Sequence, residues 1–160
     1  MTVPFRPCAI RVERRAYADP STTVSPVNAV NQRTRIIAGG IIAVLLFDLV
    51  ASLAARALGF PYATTAVGMY FIYLVTGFLA GRAAATSRAK EGAIAAALAG
   101  FADASAGWAM EWIIGVGRPP SGTLTPTEWI ITAAIAVLFA AGIGFLGGAV
   151  GARSNPHVAR

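Results

Sequence analysis

Four apolar runs, each roughly 20 residues or longer, decide what this chain can become. They lie at about Ile36 to Leu58, Tyr62 to Gly81, Gly92 to Gly115 and Thr127 to Ala149. A helix rises about 1.5 Å per residue, so each run can cross the ~30 Å hydrocarbon layer of a bilayer. Backbone groups in lipid must be satisfied within their own segment, and no alternating barrel pattern is present, so the runs are expected as helices. The expected fold class is therefore all-α, an integral membrane four-helix bundle. Short connections at residues 59–61, 82–91 and 116–126 leave no room for a domain outside it.

The composition fits that reading. Hydrophobic residues make up 56% of the chain and charged ones 12%, with a mean hydropathy of +0.65, more apolar material than a soluble core of this size needs. The net charge of +6 would suit nucleic acid, but the basic residues flank the apolar runs. A lipid bilayer is the expected partner, and nucleic acid is not.

Arg6, Arg11, Arg14, Arg15, Arg33, Arg35, Arg82, Arg88, Lys90, Arg153 and Arg160 all fall on one side of a four-span topology, with Arg56 and Arg118 opposite. That asymmetry predicts cytoplasmic N- and C-termini in a bacterial inner (plasma) membrane. Trp112 and Trp129 then mark the outer interface, with Trp108 a turn deeper. Residues 1–34 read as a disordered cytoplasmic tail, 35–151 as the transmembrane domain and 152–160 as a second tail. The start is expected to be over-extended, because the sequence ahead of Val27 and Val30 carries no pattern. The competing reading of the first run as a cleaved signal peptide rests on Ala55-Arg56-Ala57; the run is too long for that and a long tail precedes it.

Two features recur in the same order in both halves and suggest a duplicated helical hairpin, its copies related by a parallel pseudo-twofold. Gly77-Phe78-Leu79-Ala80-Gly81 matches Gly144-Phe145-Leu146-Gly147-Gly148, each a G-x-x-x-G that lets helix backbones approach closely. Asp48, Ser52 and Arg56 are spaced as are Asp103, Gly107 and Glu111, and steps of four place each trio on one helix face. Along the third run Gly92, Ala96, Gly100 and Ala104 form a small-residue stripe, beside a second of Ala95, Ala99, Asp103 and Gly107. Gly77, Gly81, Gly100, Gly144 and Gly148 are thus the expected helix-packing positions, within the bundle or against a homo-oligomer or membrane partner.

Ionisable groups in hydrocarbon cost about 2.5–3.5 kcal/mol or more at a helix centre, so they face the bundle interior or a wet cavity. Asp48 lies roughly 18 Å along its helix from Ile36, and Asp103 roughly 17 Å from Gly92. Both are expected near mid-membrane, forming with Ser52 a candidate intramembrane polar site. Such a carboxylate pair would hold a proton or bind a cation, or else hydrogen-bond Ser52, Ser105, Thr76 or a facing backbone group and fix packing. Arg56 and Glu111 fall roughly 30 Å and 29 Å along their runs, and are expected to form an ion pair at the outer boundary.

Catalysis is not expected. Cys8 and His157 are each the only one of their kind and lie in polar tails, so no metal site or cofactor is anticipated. H-E-x-x-H, a nucleophile elbow and a Walker loop are all missing, and Gly117-Arg118-Pro119-Pro120-Ser121-Gly122 is a phosphate loop in composition only. A carboxylate-based intramembrane hydrolase is the one enzymatic reading the residues leave open.

Through Gly77-Phe78-Leu79-Ala80-Gly81-Arg82, Lys90-Glu91-Gly92-Ala93 and Gly144-Phe145-Leu146-Gly147-Gly148, the chain resembles small glycine-rich bacterial membrane proteins with four spans. The resemblance covers about residues 36–153; it implies the topology and carries over no activity or site residue. Two functions follow as expectations: a non-enzymatic protein acting through helix packing with itself or a partner, and a small transporter or proton-coupled channel component using Asp48 and Asp103.

Overall fold

The computed structural model describes residues 26–84, 86–116 and 125–154. The two tails at 1–25 and 155–160, and the phosphate-like segment within the connection at 117–124, lie outside the described residues. Among those described, every regular element is helical: α1 Pro26–Leu58, a 3-10 turn Tyr62–Thr65, α2 Ala66–Ala83, α3 Arg88–Ala102, a π-helical segment Asp103–Gly107, α4 Trp108–Ile114 and α5 Pro126–Arg153. They make four helical passages long and apolar enough to cross a membrane, Asn31–Leu58, Tyr62–Ala83, Arg88–Ile114 and Pro126–Arg153. Each sequence run lies inside one of them to within a residue. The expected tail is corrected at its end, because α1 begins at Pro26 and residues 26–34 are helical rather than disordered.

Local chemistry sets the ends. Thr125 and Glu128 form a reciprocal capping box ahead of α5, with Pro126 in the first turn where its missing N–H costs nothing. α1 and α4 stop at Gly59 and Gly115, whose φ values of 71° and 91° suit residues without a Cβ.

Packing divides the passages unequally. α5 lies along both α2 and α3, whereas α1 rests on α2, α3 and the π/α4 stretch. The start of α1, the link from α2 to α3 and the end of α5 gather at one end of the bundle, here the termini end; the Gly59 and Gly115 turns mark the hairpin end. At the termini end Arg33 pairs with Glu91 at 3.0 Å, and Arg88 donates to the carbonyls of Ala84 and Ala152.

Glycine makes the close approach of α2, α3 and α5 feasible. A Cβ on Gly77 would collide with the Gly144 backbone, one on Gly81 with Gly148, and one on Gly92 with the carbonyl oxygens of both Gly144 and Gly77. Gly100 faces the Ala140 methyl, and Gly147 and Gly151 press on the Leu74 and Phe78 carbonyls. All five expected packing glycines are therefore spent within the chain. The buried apolar core is correspondingly small: Val44, Met69, Tyr73, Ala96, Ala99 and Ala140. Larger side chains such as Ile42, Leu46, Phe71, Ile113, Ile130 and Leu138 face outward.

Candidate functional site

Toward the hairpin end the space between α2 and α5 is no longer closed by glycine. Tyr70 and Phe139 bridge it with an edge-to-face contact at 5.2 Å, and a cavity of about 440 Å³ lies behind them. Its inner wall carries Asp48 from α1, Asp103 from the π segment and Glu111 from α4. These three carboxylates present oxygens that all lie within 4.8 Å of one another, close enough to hold a metal ion. The lone cysteine and histidine gave no expectation of a metal site, whereas the carboxylate pair gave one of a proton or a cation; the donors brought together here are all oxygens, which suit hard cations.

Asp48 is completely buried; its Oδ1 accepts a hydrogen bond from the Tyr62 hydroxyl at 3.1 Å, while its Oδ2 faces the Asp103 carboxylate and accepts from no N–H or O–H donor among the described residues. Asp103 Oδ2 accepts from the Tyr73 hydroxyl at 2.7 Å. Its other oxygen, Oδ1, and Asp48 Oδ2 both overhang Gly107, where an added Cβ would strike them. Glu111 is 8% exposed. Among the described residues no basic side chain is salt-bridged to any of the three.

The expected meeting of Asp48 with Asp103 is thus found, but its surroundings differ from those anticipated. Ser52 is fully buried a turn further along α1, its hydroxyl unpartnered, and it does not line the cavity. Ser105 turns back to the Phe101 carbonyl, as hydroxyls inside helices commonly do, and Thr76 packs on Gly40. The partners are tyrosines. Tyr62 stands at the start of the 3-10 turn that leads into α2, and Met69, Tyr73 and Gly77 follow at steps of four, so one face of α2 carries the Tyr73 hydroxyl and the packing glycine. That spacing was the available signal.

The expected ion pair between Arg56 and Glu111 is not formed. The Arg56 guanidinium donates to the Ile114 carbonyl at 2.6 Å, satisfying a helix-end acceptor that has no partner of its own. Glu111 instead joins the aspartates. The reason lies in the π segment, where Trp108 N–H reaches back to the Asp103 carbonyl. Such a bulge shifts the helix register, and bulges of this kind recur at functional sites. At the same end Trp108, which lines the cavity, meets Trp129 edge to face at 5.1 Å between α4 and α5.

In comparisons with known proteins the chain matches no family model, no curated protein and no solved structure.

Proposed function

We propose that this chain is a multi-pass membrane protein that binds cations at Asp48, Asp103 and Glu111 and exchanges them against protons, as a small transporter or proton-coupled channel component. One observation carries the reading: three carboxylates converge within 4.8 Å at a cavity, and Asp48, the most buried of them, turns an oxygen toward Asp103 that no N–H or O–H donor among the described residues satisfies. Negative charge in a medium of low dielectric must be neutralised, and among the described residues no arginine or lysine does so. Protons or a cation from outside the chain supply the balance, and a site that can hold either is what coupled transport needs.

The bundle belongs in a bilayer because its four long helices turn large aliphatic side chains outward. The basic flanks at the termini end favour a cytoplasmic location for both termini, and the resemblance to small four-span proteins favours a bacterial plasma membrane. The hairpins are read as a duplication about an axis along the bundle. The recurring motifs support it, as do three matched pairs that lie side by side, Gly77 on Gly144, Gly81 on Gly148, and Asp48 beside Asp103; the copies pack unequally, because α2 lies on α3 whereas α1 does not lie along α5. Action through helix packing with a partner has less support, because the small-residue faces suited to it are already occupied within the chain.

The test is cation-driven proton flux in proteoliposomes. Charge-assisted contacts are each worth ~1.5–3 kcal/mol, so Asp48→Asn/Asp103→Asn should slow flux about tenfold to a hundredfold. Equal flux for both proteins, or none for either across alkali, alkaline-earth and organic cations, would remove the reading.

A further inference from the structure

The carboxylates occupy only one end of a much larger space. The remaining walls of the cavity are mostly apolar or aromatic, with Met69, Tyr70, Trp108, Ile135 and Phe139 beside Thr65 and Thr132. A metal ion would complete its shell of oxygens with the carboxylates and water, and gains nothing from such walls. A cavity of about 440 Å³, mostly apolar with a few converging polar groups, has the proportions of a pocket for an organic molecule. The charge at its end selects the sign. Aromatic faces add attraction for a cation whose charge is spread over an organic group.

The way in can also be located. Glycines lock α2 to α5 at the termini end, and nearer the hairpin end the space between the two helices is spanned by Tyr70 and Phe139. Both rings are about half exposed, at 43% and 53%, on the flank that would face hydrocarbon. Ile135, on the same side of α5, is exposed as well as cavity-lining. A ligand passing here comes from within the bilayer rather than from water.

We propose that the cavity takes a monovalent amphiphilic organic cation of the quaternary ammonium type, which enters sideways between α2 and α5 past Tyr70 and Phe139 and places its charge against Asp48, Asp103 and Glu111. This rests on the cation-site reading above and names the substrate class for it.

Ethidium is a suitable probe, because its fluorescence rises on leaving water and Trp108 lies in the cavity to report its arrival. Titrated into protein in lipid nanodiscs, with protein-free discs as the blank, it should bind wild type and quench tryptophan emission. Asp48→Asn/Asp103→Asn should weaken binding at least about tenfold. Ala136→Trp, which puts an indole into the cavity from α5 and keeps all three carboxylates, should weaken ethidium similarly while leaving the acidic site able to bind manganese(II). Phe139→Ala should widen the entrance and speed association several-fold, a gain that a damaged fold would not give. Ethidium binding that is unchanged in the aspartate variant, or unchanged by both Ala136→Trp and Phe139→Ala, overturns the proposal. Manganese binding that depends on the aspartates, with no ethidium binding, overturns it too while leaving the cation site standing. If neither probe binds, both readings fall together.

Discussion

Gly144→Leu is expected to prevent the bundle from assembling. Gly144 sits where three helices meet, its Cα and carbonyl against Gly77 on one side and the Ala96 methyl and Gly92 carbonyl on the other. Neither neighbour is the free end of a flexible side chain that could swing away; most are backbone. Overpacking a tight core costs ~1–3 kcal/mol, sometimes more, when side chains can adjust, and here helices must separate along α2 and α3 at once. The expected result is loss of the folded peak in detergent, or an unfolding free energy lowered by ~3 kcal/mol or more. Gly142, two residues earlier on the same helix, has nothing within 4 Å of an added Cβ, so Gly142→Leu should melt as wild type does. Equal behaviour of the two variants would show that α5 is not seated where it is described.

Gly107→Ala is expected to weaken cation binding about tenfold to a hundredfold while sparing the fold. The added methyl would occupy the space over which Asp48 Oδ2 and Asp103 Oδ1 converge. Those oxygens are side-chain ends and can rotate apart, so the helices need not move. Once apart, they no longer act on the same ion, and each lost charge-assisted contact is worth ~1.5–3 kcal/mol, about tenfold to a hundredfold in affinity. Calorimetric or fluorescence titration measures that loss, and an unchanged melting profile shows that the bundle survived. Binding that withstands the methyl would mean that the two oxygens do not act together.

The helical passages were legible because lipid permits few structures: four runs of sufficient length leave helices as the economical answer. The glycine contacts were legible for a related reason, since G-x-x-x-G at matched positions describes a close approach directly. Asp48 and Asp103 could be paired by counting residues along two helices that run the same way. Glu111 could not be placed by that count. The π segment at Asp103–Gly107 alters the helical phase just before it, and nothing in Asp-Ala-Ser-Ala-Gly announces an i→i+5 hydrogen bond. Arg56 was misassigned because charge was matched to charge, whereas the carbonyl at the end of α4 offered the nearer acceptor. The tyrosines escaped notice because an aromatic residue in an apolar run reads as packing; only its position relative to the aspartates makes the hydroxyl matter. The cavity depends on how α2 and α5 separate beyond their glycine contacts, a property of two helices together that neither sequence holds alone.

The most direct test asks whether the interior carboxylates carry exchangeable protons in a membrane. Dicyclohexylcarbodiimide partitions into lipid and reacts with protonated carboxyl groups, and peptide mass mapping locates the adduct. The account predicts modification at Asp48, Asp103 or Glu111, with cation-driven proton flux falling in step with the modified fraction. Adducts confined to the exposed Glu128 and the partly exposed Glu91, with flux untouched, would contradict it.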